Sequence, residues 1–215
     1  MALRAGHRRS VTLFYEPSAR PRDVLPHDPF KALVAPRPIG WISTLSPDGE
    51  PNLAPYSFFN AVCDAPPMLA FSSAGRKDSH TFADGRGEFV WNLPTYALRE
   101  VMNASSAPLE RGVSEFAHAG LEPAPSRLVA PPRVAESPCA LECRVVHTLD
   151  LVALDGTDTD HHLVIGQVVG VHLAEGAIGP EGVVDTAALE PIARCGNTGD
   201  YAVVRELFDM ARPRS

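Results

Sequence analysis

No apolar run in this 215-residue chain approaches the ~20 residues that a membrane-crossing helix needs. Basic charge is also in short supply: 19 Lys and Arg stand against 26 Asp and Glu, a formal net charge of −7. Nucleic acid and anionic lipid are held by basic surfaces that replace counterions, so neither is expected as a partner, although a locally basic pocket is compatible with this balance. Cysteine is limited to Cys63, Cys139, Cys143 and Cys195, with no two pairs at zinc-ligand spacing. No metal site is therefore expected, and the thiols read as free. After the basic start at Arg4, Arg8 and Arg9 comes none of the ~7–15 apolar residues of a secretory signal, so a cytoplasmic location is expected. Also absent are GxGxxG after a strand, GxxxxGK[ST] and GxSxG, which argues against a Rossmann dehydrogenase, a P-loop enzyme and a nucleophile-elbow hydrolase.

What the chain has in excess is proline, 21 residues, roughly twice the ordinary share. Proline fixes φ and removes a donor, so long helices are not expected over much of the chain. Residues 15–38, with Pro17, Pro21, Pro26, Pro29, Pro36 and Pro38, read as an extended surface arm. The β-branched and aromatic run IGWISTL at 39–45 ends at Ser46-Pro47-Asp48-Gly49, a turn signal, and 52–60 returns beyond it as a hairpin. Strands are also predicted over 68–73 and 88–93, and a longer pair over 139–153 and 161–173 flanks Asp155-Gly156-Thr157-Asp158. A period of two puts Cys139, Leu141, Cys143 and Val145 on one face, as core. His161 and His162 then fall on opposite faces and read as surface residues near the turn. Helices are predicted over 79–83, 95–104, 114–119 and 200–211, the last with Asp200 as its N-cap, and 122–138 reads as a long loop. Many short strands at hairpin spacing, without β-α alternation, predict a mainly β fold: an antiparallel barrel with a few short peripheral helices.

The stretch Phe71-Ser72-Ser73-Ala74-Gly75-Arg76-Lys77-Asp78-Ser79-His80-Thr81 ends a strand, passes a glycine, offers two adjacent cations and several hydroxyls, and then opens a helix. That combination suits a phosphate monoester. Arg76 and Lys77 can neutralise the dianion, Ser72, Ser73 and Ser79 can donate to it, and free N–H groups at the helix start favour an anion. A solvated basic loop with a helix cap is the alternative reading of the same residues.

Taken in order, Pro36-Arg37-Pro38-Ile39-Gly40-Trp41-Ile42-Ser43-Thr44, the Asp-Gly turn, Asn52-Leu53-Ala54-Pro55-Tyr56-Ser57-Phe58-Phe59-Asn60, Asp64-Ala65-Pro66-Pro67, Lys77-Asp78-Ser79 and Phe89-Val90-Trp91-Asn92 resemble the successive signatures of the flavin reductase-like family, whose fold is an FMN-binding split barrel. The likeness runs on through Phe116, Gly120-Leu121, Ala135-Glu136-Ser137-Pro138, Leu141-Glu142-Cys143 and Ile165-Gly166-Gln167-Val168-Val169, covering residues 25–205. It implies one domain there, with a Pro-rich arm at 1–24 and the end of a C-terminal helix and tail at 206–215. It implies that Ser43, Thr44, Asn52, Ala54, Pro55, Ser57 and Asn60 line the flavin ring and ribityl chain. It further implies that Ser72, Ser73, Arg76, Lys77 and Ser79 hold the phosphate, and that Asn92 supports the flavin or its loop. Trp41, Phe58 and Phe59 are assigned to the core rather than to the flavin. In Pro191-Ile192-Ala193-Arg194-Cys195-Gly196-Asn197-Thr198-Gly199-Asp200-Tyr201, Cys195 and Asn197 interrupt the paired glycines common in relatives, and Arg194 and Tyr201 remain candidate site residues.

The activity so implied is reduction of FMN by NADH or NADPH, with electrons passed to free flavin, oxygen or a partner monooxygenase. A homodimer with FMN near the subunit interface is also implied. The cofactor carries the chemical step in such a reaction, and no catalytic side chain is evident in the sequence. An FMN-binding electron carrier or sensor without its own NAD(P)H oxidation is the second reading.

Overall fold

The structure, a computed structural model, describes residues 12–109, 113–196 and 198–213. The elements run α1 (Phe30–Leu33), β1 (Arg37–Pro38), β2 (Gly40–Leu45), β3 (Pro51–Tyr56), β4 (Phe59–Asp64), β5 (Pro67–Ala74), α2 (Asp78–Arg86) and β6 (Glu88–Asn92). They continue with α3 (Arg99–Ala104), α4 (Glu115–Ala119), β7 (Pro123–Ala124), β8 (Arg133–Val134), β9 (Cys139–Val152), β10 (Asp158–Leu173), α5 (Thr186–Leu189), β11 (Ile192–Arg194) and β12 (Tyr201–Val203). Seven strands form one antiparallel sheet in the order β3-β2-β6-β9-β10-β5-β4. Its first and last members, β3 and β4, are joined by Ser57 and Phe58 alone, so the two edges must meet and the sheet closes into a barrel with a split at that seam.

Two apolar layers hold it. Inside the barrel Ile42, Phe59, Phe71, Phe89, Cys143 and Val164 pack together, with Phe71 and Phe89 edge to face at 5.4 Å. Outside, Trp41, Leu53, Met102, Phe116 and Ile192 bury the other face of β2 and β3 under α3 and α4. Because β2 is covered on both faces, its sequence shows no polar alternation. The long hairpin turns as the sequence predicts: Gly156 takes φ +85°, Ala153 donates its N–H to Thr157 at 2.8 Å, and Asp155 caps the Thr157 N–H. All four cysteines are free, with Cys139 and Cys143 buried.

Several expectations need correction. The predicted C-terminal helix over 200–211 is not formed. Tyr201, Ala202 and Val203 pair instead with Arg194, Ala193 and Ile192, and residues 204–213 have no regular structure. A ladder that covers Ile192 outweighs the helical propensity of that segment. The predicted strand 52–60 breaks at Ser57–Phe58 into two strands on opposite edges of the sheet. The helix expected from Thr95 starts at Arg99, since Thr95 bridges to Pro191, and within 122–138 the strands β7 and β8 pair. Neither histidine is a surface residue: His161 is half-buried and His162 is buried, its Nδ1 2.6 Å from Asp150 Oδ1 and its ring 4.9 Å from that of His80. The basic start at Arg4, Arg8 and Arg9, Asn197 and the first part of the 1–24 arm lie outside the described residues.

Candidate functional site

A cleft of about 480 Å³ opens where β3, β5 and α2 converge, beside the seam of the barrel. Its floor is α2, nine residues long and begun by Lys77 in an extended conformation. The first intrahelical bond runs from Thr81 N–H to Lys77 C=O at 2.9 Å, so the N–H groups of Asp78, Ser79 and His80 have no acceptor within the helix. Lys77, the N-cap residue, makes no side-chain cap hydrogen bond. The start of α2 therefore carries the positive end of the helix dipole, and Lys77 and Ser79 line the cleft with it.

Asn52 fixes that helix start. Its Nδ2 donates to Ser79 Oγ at 2.8 Å and to Thr44 Oγ1 at 3.0 Å, tying α2 to β3 and β2 through three buried residues. On the opposite wall Ser72 presents an Oγ that is buried and has no hydrogen-bond partner among the described residues. A buried hydroxyl left without a partner is costly, and it marks a place where a ligand oxygen would be welcome. Ala54, Pro55, Ser57 and Phe58 complete the apolar and backbone walls.

Of the residues singled out from sequence, the cleft brings together Asn52, Ala54, Pro55, Ser57, Ser72, Lys77 and Ser79, with Thr44 directly behind Asn52. The others lie elsewhere. Ser43 and Asn92 are fully buried in the core: Asn92 donates to Ser43 Oγ and the Trp41 carbonyl and accepts the Val134 N–H at 2.8 Å, while Ser43 donates to the Pro132 carbonyl. Ser73 faces away from Ser72, as neighbours on a strand must, and donates to the Gly75 carbonyl at 2.8 Å. Asn60 is exposed on β4 and bonds the adjacent Ala61 N–H. Arg76 is drawn off by Asp150, which it meets with both carboxylate oxygens at 3.1 Å. Trp41 and Phe59 are core residues, but Phe58 is a wall of the cleft.

Sequence reasoning missed Tyr56, Glu115 and the segment after α3 that begins at Ser105. Tyr56 stands within the NLAPYSFFN run, packs in the barrel core and also lines the cleft. Burial raises the pKa of its phenol against the opposing pull of hydrogen bonds with Ser79 and Ser73. Glu115 accepts the Leu53 N–H at 3.3 Å across a gap of 62 residues, which no local motif announces. Burial pushes its carboxyl above the usual range, and the nearby charge of Asp78 adds to this. Arg194 and Tyr201 line a second cavity beside the first.

Residues 33–188 match the flavin reductase like domain. An uncharacterized protein of Deinococcus radiodurans is 39% identical over 193 residues, 84% of this chain and 82% of its own length. Among solved structures, nitrilotriacetate monooxygenase component B from Bacillus cereus superposes with a TM-score of 0.82 at 29% identity, covering 93% of this chain and 98% of that one. The 2-nitrobenzoate 2-nitroreductase NbaA of Pseudomonas fluorescens shares the fold, with a TM-score of 0.80 at 24% identity and coverage of 94% and 96%. A split antiparallel barrel, a cleft with an anion-ready helix start at its seam, and a domain match over most of the chain lead to one assignment: this protein belongs to the flavin reductase-like family of flavin-related oxidoreductases.

Proposed function

We propose that this protein binds FMN in the cleft between β3, β5 and α2 and reduces it with NADH or NADPH. The observation that carries the reading is that Ser72, whose buried Oγ has no partner among the described residues, lines the same cleft as Lys77, Ser79 and the start of α2. That set fits a phosphate monoester. Lys77 would neutralise charge, Ser72 and Ser79 would donate hydroxyl hydrogens, and the N–H groups of the first turn would complete the cradle. Ala54 and Pro55 would let a flat ring approach the backbone closely, while Tyr56 and Phe58 keep water from it. When bound, the flavin supplies a ring nitrogen that accepts hydride from a reduced nicotinamide. The chain's part is then to hold two rings together in a dry site, which requires no dedicated acid–base pair.

The reading takes residues 25–205 as the domain, a second copy of the chain as partner, and a monooxygenase or free flavin as electron acceptor. Apolar side chains exposed along β9, Leu149 and Leu151 on one face among them, are what a second copy would cover. The similarity to a nitrilotriacetate monooxygenase component B supports the acceptor. The test is an absorbance spectrum after incubation with FMN and desalting, followed by anaerobic NADH or NADPH. Retained absorbance near ~450 nm that bleaches supports the proposal. Retained flavin that bleaches only with dithionite makes the protein an electron carrier, and no retained flavin removes the cofactor assignment.

A further inference from the structure

The second cavity, about 260 Å³, opens beside the flavin cleft and shares Pro55, Tyr56, Ser57 and Ser106 with it. Lys31, Arg37 and Arg194 line it, and no Asp or Glu does. Among the described residues no carboxylate lies within ion-pairing distance of these three. In a chain of net charge −7, three cations around one concavity, with no ion-pair partner among the described residues, focus a positive field that draws in and orients anions.

Each cation is held by something other than a carboxylate. Arg37, 6% exposed, donates to the carbonyls of Lys31 and Val34 and, at 3.0 Å, to that of Cys195, clamping α1 against the exit of β11. Its Nε is a buried donor without a partner among the described residues. Gly196 makes the clamp possible, since a Cβ there would stand 2.5 Å from the Cβ of Ala32. Arg194 donates Nη1 to the Tyr201 hydroxyl at 2.7 Å and lies 4.7 Å from the centroid of that ring. The contact orients the guanidinium without neutralising it, and among the described residues no other side-chain hydrogen bond engages Arg194 or the Tyr201 O–H. Lys31 is exposed, with Nζ 5.9 Å from the centroid of Phe58, so its charge sits between the two cavities.

We propose that this cavity is an anion subsite in which Arg194, Tyr201 and Lys31 bind a phosphate or carboxylate group of the molecule that exchanges electrons with the flavin. The inference rests on the flavin reading above and names the chemical class of the second reactant. Two sources present that chemistry: the pyrophosphate of a nicotinamide dinucleotide and the carboxylate of an acidic acceptor.

Calorimetric titration of the full-length protein with inorganic pyrophosphate and with benzoate, in the presence and absence of saturating FMN, tests it. The proteins are wild type, Arg194→Gln, Arg194→Lys and Lys31→Gln. At least one anion should bind with FMN present and weaken as salt rises, and Arg194→Gln should weaken it about tenfold or more. Arg194→Lys should recover part of that loss, and Lys31→Gln, at an exposed position, tests charge without touching the core. Pyrophosphate binding identifies the dinucleotide as the source, benzoate binding an acidic acceptor. Anion binding absent with FMN retained, or equal in wild type, Arg194→Gln and Lys31→Gln, overturns the subsite alone. Failure to retain FMN removes the flavin reading alone, because Arg194-dependent anion binding is read in the FMN-free protein as well.

Discussion

Asn52→Ala would remove both hydrogen bonds made by Nδ2, to Thr44 Oγ1 and to Ser79 Oγ. Asn52 is 6% exposed, Thr44 0% and Ser79 1%, so water replaces the lost donor poorly. A buried neutral hydrogen bond contributes about 1 kcal/mol net, and a partner left unsatisfied costs about 1–3 kcal/mol more. Both partners here are hydroxyls that can rotate toward other groups, which places the total near the low end, about 2–3 kcal/mol. For a chain of this size each kcal/mol moves the midpoint by about 2–4 °C, so a fall of about 4–12 °C is expected by circular dichroism. Ser79 and the first turn of α2 would lose their tie to β3, and FMN affinity should drop about tenfold, the equivalent of ~1.4 kcal/mol. Asn52→Asp separates the two effects. Its carboxylate accepts from both hydroxyls, so stability falls less, yet it sets a negative charge beside the phosphate cradle, so FMN binds more weakly than in Asn52→Ala. The affinity is read from flavin fluorescence at fixed salt. If Asn52→Ala melts within about 1 °C of wild type and binds FMN equally well, the Asn52 bridge does not hold the helix start and the argument fails.

Glu142 is fully buried and accepts the N–H groups of Arg127, Leu128 and Val129 at 2.7, 2.6 and 3.1 Å, along with a bond from His172. Burial raises its pKa, but the His172 bond and the backbone donors outweigh that and hold the carboxyl below its usual range. A depressed carboxylate stabilises the fold above its ordinary pKa and loses that effect as pH falls; Glu142→Gln should therefore cost about 3 kcal/mol at neutral pH, a gap that narrows below pH ~4 in urea titrations. A gap that stays constant down to pH ~3 would contradict this. Glu115, whose pKa is raised by burial, opposes a phosphate in the cleft when ionised. Glu115→Gln should tighten FMN binding at neutral pH, with the difference from wild type shrinking on acidification as wild-type Glu115 takes up its proton; equal affinities at neutral pH would place its charge out of reach of the ligand. At Gly166 an added Cβ would stand 2.3 Å from Cε1 of the buried Phe89, so Gly166→Ala should destabilise by about 2 kcal/mol or more. Adding Phe89→Leu should restore part of the loss in urea midpoint, and no restoration would mean that the clash is absorbed by the backbone.

The barrel was legible wherever one local signal decided an element. The Asp155-Gly156 turn, the β-branched run of β2 and the apolar faces of β9 and β10 each announce themselves within a few residues. Errors arose where a distant strand decided the outcome. Tyr201–Val203 would make a respectable first helical turn on its own, and becomes a strand because Ile192 to Arg194 offers it a ladder. In the same way 52–60 looks like one strand, and only closure of the sheet forces the break at Ser57–Phe58 that creates the seam and the cleft.

The site shows the same division more sharply, because a polar residue's role depends on which partner claims it. Arg76 and Lys77 are adjacent cations, and the sequence offers both as phosphate ligands. Asp150, 74 residues from Arg76, takes the guanidinium, while Lys77 lines the cleft. Ser72 and Ser73 divide by strand alternation alone: one turns toward the Gly75 carbonyl and the other keeps an unpartnered hydroxyl. Ser43 and Asn92 bond to each other and to the backbone of Trp41, Pro132 and Val134, so their donors are engaged within the core. The ligand-binding potential of a polar side chain is therefore what remains after long-range partners have been satisfied. Motif reading counts donors, whereas the fold subtracts the engaged ones, and the remainder here is Lys77, Ser72 and the start of α2 in one cavity, with Arg194 and Lys31 in the next.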